Sequence, residues 1–245
     1  MKKLYVVGFG PGALNKMTLE ARDALIESEV IAGYTLYVDL LKDDFENKEY
    51  IVTGMTRERE RCEMALASAE NGRTTAMICS GDAGVYGMAG ICLELSPAYP
   101  EVEIEIVPGV TAALSGAAVL GAPLGHDFVV ISLSDRLTPW ETIEKRLCAA
   151  ASADFAMCIY NPSSKARKEY LKRSCRIIMN YQSDKLICGY VQNIGREGQS
   201  YKILTLDRLM DTEIDMFTTV FIGNSTTKCI NNRMVTPRGY RSEPL

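Results

Sequence analysis

The sequence predicts an α/β fold in two halves, and three observations carry that expectation. Apolar strand-like runs alternate with helical stretches along the chain. Three runs of the first half, LYVVGFG, TTAMICSG and VEIEIVPG, end at glycine or serine-glycine. Near the middle a GAPLG string, Gly121 to Gly125, has the glycine and proline punctuation of a hinge.

In the first half, LYVVGFG predicts a strand and is followed by a helix from about Thr18 to Ser28. VIAGY predicts a second strand, MTRERERCEMALASAENG a helix, and TTAMICSG a third strand. A helix near Ala89 to Leu95 then precedes VEIEIVPG. This is the rhythm of a parallel sheet with crossover helices, so the glycine-ended loops meet at the carboxyl edge, where open α/β sheets bind ligands. A helix from Thr111 to Leu120 leads into the hinge, which places the boundary between residues 1–121 and 122–245.

The second half repeats the alternation. DFVVISLSD, FAMCIYNP, KLICGYVQNIG and MFTTVFIGNS read as strands, and YKILTL as an antiparallel hairpin partner. Helices are expected over TPWETIEKRLCAAA, over a basic stretch from Lys165 to about Tyr181, and near Asp207. The final RGYRSEPL reads as a loose tail.

Composition narrows the class. The 245 residues are 47% hydrophobic and 24% charged with a net charge of −4, ordinary for a folded protein and unattractive to nucleic acid or anionic lipid. No apolar run approaches the roughly 20 residues that span a bilayer, and the apolar start is shorter than a signal-peptide core, so the chain reads as cytosolic. Eight scattered cysteines, with no CxxC pair, read as buried thiols. With one histidine, His126, no protein-built metal site is expected.

The glycine motif after the first strand, GFGPG, invites a dinucleotide reading that fails on inspection. Pro11 removes a donor, the helix starts late near Thr18, and VIAGY ends in glycine and tyrosine where a ribose-binding acid belongs. What remains is a tight turn with bare backbone that a flat ligand or an adenosyl group approaches closely, or a purely structural turn. In SGDAGVYGMA, several glycines surround one carboxylate, Asp82, suited to a ribose hydroxyl or an amine, or else to a helix N-cap. In VPGVTAA, Thr111 and Ala112 open a small-residue helix against which a ligand can lie.

The order GFGPG, SGDAGVYGMA, VPGVTAA, ISLSD, YNP and TTVFIGNS resembles the tetrapyrrole methylases over nearly the whole chain. Within that family, TGMTRERERC, GAPLGHDFVVISLSDRLTPWE and MVTPRGY most resemble the C-17-methyltransferases of cobalamin synthesis acting on precorrin-3B or cobalt-factor III. The resemblance implies two α/β/α domains with the active site in the cleft between them. S-adenosylmethionine is the implied methyl donor, S-adenosylhomocysteine its product, and a corrinoid the substrate, with cobalt present only as part of it. A homodimer is implied too. Carried over, Pro11, Gly81, Asp82, Val85, Tyr86, Thr111, Ala112, Tyr160 and Asn161 bind the cofactor, and Gly10 lies on the substrate side. The regions Gly189 to Asn193 and Thr219 to Val220 are secondary candidates.

A sulfonium methyl is already activated, so alignment and water exclusion can suffice, in keeping with a sequence that has no nucleophile elbow. In the reaction that the resemblance implies, methylation at C-17 accompanies ring contraction, and a proton carrier near the macrocycle would serve it. His126 and Asp135 are the catalytic candidates, although a lone histidine is often structural and Asp135 also reads as a cap of the next helix. Ser132, Ser134 and Arg238 are candidate substrate contacts. The substrate's carboxylates call for cations, with Arg57, Arg59, Arg61, Lys165, Arg167, Arg196 and Arg238 available, although RERER alternates with glutamates as self-paired helix faces do. Competing readings are a methylase for another tetrapyrrole position, or for protein or RNA, and a carrier that binds without transferring.

Overall fold

The computed structural model describes residues 2–164 and 167–240. The chain divides into two compact units, Met1–Ala112 and Ala113–Leu245.

The first unit is a five-stranded, all-parallel sheet in the order β3-β2-β4-β1-β5, built from β1 (Lys3–Gly8), β2 (Val30–Tyr34), β3 (Glu49–Thr53), β4 (Thr75–Cys79) and β5 (Glu103–Val107). Alternation along β1 sorts its side chains to two cores. Leu4 and Val6 pack with Cys62, Leu66 and Cys92, carried by α3 (Glu58–Glu70) and α4 (Ala89–Leu95). Tyr5 and Val7 pack with Leu25 of α1 (Leu19–Glu27) and Val38 of α2 (Thr35–Asp39). Thr18 caps α1 by accepting the Ala21 N–H at 3.1 Å, which is why that helix starts late and leaves the glycine turn unattached to it. The elements expected in this half are present. The strand β3 and the short α2 were not expected; β3 is an edge strand with only its last residue buried, so its apolar signal is weak.

In the second unit the main sheet is β10-β9-β11-β8-β7, from β7 (Phe128–Ser132), β8 (Ala156–Tyr160), β9 (Ile187–Gln192), β10 (Ser200–Thr205) and β11 (Thr218–Ile222). β7 and β8 are parallel, β10 pairs antiparallel with β9 as its sequence predicts, and β11 lies between β8 and β9 antiparallel to both. The helices α6 (Trp140–Ser152), α7 (Tyr170–Met179) and α8 (Leu206–Met210) supply Ile143, Leu147, Cys175, Ile178 and Leu209 to its core.

The GAPLG string, expected as a hinge, contributes a short strand to a small sheet. Helix α5 (Ala112–Leu120) runs into β6 (Gly121–Ala122), which pairs with β13 (Arg233–Val235), itself the second arm of a hairpin with β12 (Lys228–Ile230). Thr236 donates its N–H to Ala122 O at 3.0 Å and its hydroxyl to Pro123 O at 2.6 Å. The segment is thus held by paired backbone rather than free to bend. From Ala113 on, α5 also groups with the second unit, nine residues before the expected boundary. Its Gly116 packs so closely that a Cβ there would lie 2.8 Å from the Phe221 ring and 2.9 Å from Ile194.

Candidate active site

Three loops leave the carboxyl edge of the first sheet, after β1, β4 and β5, and backbone contacts lock them together. Phe9 N–H donates to Cys79 O at 3.0 Å, and Gly10 and Gly81 exchange bonds of 3.0 and 2.7 Å. Both glycines are left-handed, at φ +79° and +74°, a conformation that side chains resist. Asp82 completes the lock. Its Oδ1 accepts from Gly84 N at 2.8 Å and Val85 N at 3.0 Å, and its Oδ2 from Gly109 N at 3.0 Å. Those amides fill most of the roughly four acceptor positions of a carboxylate.

Asp82 is therefore the organiser of two loops and not a helix N-cap, since α4 begins only at Ala89. At Gly109 the approach is closest: a Cβ would lie 2.1 Å from Gly81 O and 2.2 Å from Gly8 O. Around this lock stand the other first-unit candidates. Pro11 is buried in the turn, Thr111 and Ala112 run past Gly81, and Val85 and Tyr86 are exposed, Tyr86 at a left-handed φ of +56°. Left-handed non-glycine residues concentrate where loops are shaped for ligands. The result is a bare-backbone shelf flanked by an exposed tyrosine. An aromatic group adjoins it: Tyr37 meets Phe9 at 5.7 Å and Tyr34 at 5.3 Å, edge to face. The sequence offered only VIAGY's terminal tyrosine as a signal for it.

At the carboxyl edge of β7 and β8 in the second unit, Asn161 donates to the Ser132 hydroxyl at 2.9 Å, and Ser134 N–H donates to the same oxygen at 3.2 Å. Tyr160 OH accepts the Ala113 N–H at 2.7 Å, satisfying the start of α5. Asp135 accepts from Tyr170 OH at 2.6 Å and lies 3.4 Å from Arg167. The Tyr170 bond, helped by Arg167, holds its carboxyl below the usual range, and Tyr170 is raised in turn. A carboxylate so held is a poor proton donor. Nor does it cap α6, whose N-cap is Pro139.

His126 and Arg238 stand elsewhere. His126 precedes β7, so Ser132 lies six residues away along an extended strand, about 20 Å at roughly 3.3 Å per residue. With Asp127, Asp154, Asn224 and Arg238 it lines a pocket of about 320 Å³ at the amino edge of β7 and β8. His126 Nδ1 accepts the Asp127 N–H at 2.9 Å, and Arg238 lies 5.8 Å over the Tyr240 ring. Neither joins Ser132, Ser134, Tyr160 and Asn161 at the carboxyl edge. The secondary candidates are backbone positions: Gly189 packs on Leu120, Asn193 N–H donates to Phe217 O at 3.1 Å, and Thr219 and Val220 are buried in β11.

The cations separate as well. Arg57 pairs with Glu60 and Arg59 with Glu63 on the exposed face of α3, as alternating charges do. Arg61, in the same string, is buried. Arg167 serves Asp135, Arg196 closes the turn that begins at Asn193 by donating its N–H to Asn193 O, and Lys165 lies outside the described residues.

Residues 3–210 match the profile of the tetrapyrrole (corrin/porphyrin) methylases. A probable cobalt-factor III C(17)-methyltransferase of Salmonella typhimurium is 45% identical over 238 residues, 97% of this chain and 99% of that one. A precorrin-3B C(17)-methyltransferase of Sinorhizobium is 37% identical over 97% of this chain and 96% of its own length. Other relatives are longer, this chain spanning 45% of the cobalt-factor III methyltransferase of Priestia megaterium. The crystal structure of the methyltransferase CobJ superposes with a TM-score of 0.89 at 38% identity, covering 96% of this chain and 99% of that one. With a profile match across most of its length, full-length relatives above 30% identity and the same fold, this chain belongs to the tetrapyrrole methylase family.

Proposed function

We propose that the chain is the S-adenosylmethionine-dependent C-17-methyltransferase of cobalamin biosynthesis, acting on cobalt-factor III with contraction of its ring. The observation that supports the reading is the shelf built by Gly10, Gly81, Asp82 and Gly109, a bare-backbone surface held together by the Gly10–Gly81 and Asp82–Gly109 bonds. S-adenosylmethionine supplies an activated methyl group, whose bond to sulfur breaks as the bond to C-17 forms and leaves S-adenosylhomocysteine. The chain's own work is binding and orientation. Gly81, Val85, Tyr86, Thr111 and Ala112 are the proposed contacts of the adenosyl group, with Asp82 fixing the spacing of their loops. Pro11 follows Gly10 in the buried turn on the proposed cofactor side, and Gly10, with its left-handed backbone, is the proposed position on the substrate side. At the second sheet's carboxyl edge, Tyr160 and Asn161 are the proposed cofactor contacts, and the Ser132 and Ser134 hydroxyls the substrate contacts. The cobalt-bearing substrate is favoured over the metal-free one because the Salmonella cobalt-factor III relative is 45% identical and the Sinorhizobium precorrin-3B relative 37%.

Incubation with methyl-labelled S-adenosylmethionine and either cobalt-factor III or precorrin-3B tests the reading. Label at C-17 of a contracted, cobalt-containing product is expected. Label at another ring position, or none on any corrinoid, would overturn it.

A further inference from the structure

Arg61 sits on the inner face of α3 with 4% of its surface exposed, and among the described residues no carboxylate lies within ion-pair distance of it. The helix is not short of acids: Arg57 and Arg59 take Glu60 and Glu63 at the surface. Arg61 instead donates from Nη1 to Thr53 Oγ1 at 2.6 Å and, longer, to Gly54 O at 3.4 Å, while Nη2 meets only the Met88 sulfur at 4.0 Å. Its Nε is buried with no hydrogen-bond partner.

A buried cation without a counter-charge is costly, and a buried donor left unmade adds to the cost. Here both fall on one edge of one guanidinium. The Nη1 side is used, whereas the Nε/Nη2 edge, the fork that takes a carboxylate through two parallel bonds, faces a thioether, a weak acceptor on a flexible side chain. The place matters equally. Thr53 ends β3, Gly54 follows it, and Met88 closes the loop after β4, so the fork lies at the carboxyl edge of the same sheet that carries the glycine shelf, on its β3-β2-β4 side.

We propose that the Nε/Nη2 edge of Arg61 is a covered subsite for one carboxylate arm of the macrocycle, with the Met88 side chain as the cover that turns aside when the arm enters. The proposal rests on the reading that the substrate is a polycarboxylate tetrapyrrole. The arm's negative charge then supplies the counter-ion the fold omits, and a carboxylate fits the fork where a neutral ester or amide does not.

Wild type, Arg61→Met and Arg61→Lys are compared for kcat and KM with cobalt-factor III, for S-adenosylmethionine affinity by calorimetry, and for thermal stability. Arg61→Met should raise the corrinoid KM about 10- to 100-fold, the loss of one charge-assisted carboxylate contact, with kcat and cofactor affinity within about twofold. Its melting temperature should hold or rise, because an apolar side chain replaces an uncompensated charge. Arg61→Lys, which keeps the charge and loses the fork, should fall between. Met88→Ala removes the cover without touching the charge and should raise kcat/KM for the corrinoid. An unchanged corrinoid KM in Arg61→Met, or a cofactor affinity that falls in step with it, would overturn the subsite and leave Arg61 a structural tie. If Arg61→Met does not fold, a Met88→Ala kcat/KM at or below wild type overturns it. Failure of the wild type itself to methylate cobalt-factor III would instead strike the functional reading, and the subsite with it.

Discussion

Asp82 reaches from the loop after β4 to the backbone N–H of Gly109 in the loop after β5, at 3.0 Å, so that one carboxylate sets the spacing of two loops at the sheet's carboxyl edge. Asp82→Ala leaves that amide and those of Gly84 and Val85 without their acceptor. Stability should fall by about 1–3 kcal/mol, read from urea unfolding, and cofactor affinity about 10- to 100-fold, read by calorimetry. Asp82→Asn, which keeps one acceptor oxygen, should lose less of both.

Gly109→Ala places a methyl group 2.1 Å from one backbone oxygen and 2.2 Å from another, which no rotamer relieves. It should cost more than about 3 kcal/mol and abolish cofactor binding. The control is Gly54→Ala, where no atom lies within 4 Å of the added carbon, and its unfolding midpoint should stay near wild type.

His126 lies at the amino edge of β7, and the Ser132 hydroxyl at its carboxyl edge. His126→Ala should therefore leave kcat and cofactor affinity within about threefold of wild type, short of the roughly 100-fold or more that loss of a proton carrier costs. A larger loss in single-turnover assays would return the histidine to the chemistry.

For Asp135, the Tyr170 hydrogen bond lowers the folded pKa beneath the unfolded value of about 3.9. The stabilisation it brings is fully present above that unfolded value and is lost as pH falls through the folded one. The melting-temperature difference between wild type and Asp135→Asn should thus be constant from about pH 5 to 8 and shrink only below about pH 4. A difference that changes near neutrality would contradict the assignment.

Of eight free cysteines, Cys229 alone is exposed and Cys148 is intermediate, while burial pushes the thiols of Cys79 and Cys175 up to about 12. A thiol reagent at pH 8 should modify Cys229 quickly, Cys148 more slowly, and the remaining six only after unfolding.

Elements with strong periodicity and clear ends were legible in the sequence. Thr18 and Ser28 bracket α1, and the helix expected near Ala89 to Leu95 occupies those residues, because caps and apolar spacing act locally. β3 was not, since an edge strand need not alternate, and neither was the β6-β13 pairing, which joins residues more than a hundred positions apart. The glycine loops could be read as bare-backbone turns at the sheet's carboxyl edge, yet the role of Asp82 could not, because its decisive partner, Gly109, is 27 residues away. Similarly, RERER gave three equivalent arginines until burial set Arg61 apart.

The clamp of Thr236 on Ala122 and Pro123 bears on the order in which the chain acquires structure during synthesis. The strands of the first sheet are all encoded by residue 107, so that unit can fold while the rest is still being translated. The other unit needs β11 in the middle of its sheet and then Thr236 to fasten the segment after α5. Until β11 has been made, that sheet is without its central strand, and this unit has the greater need of protection on the ribosome.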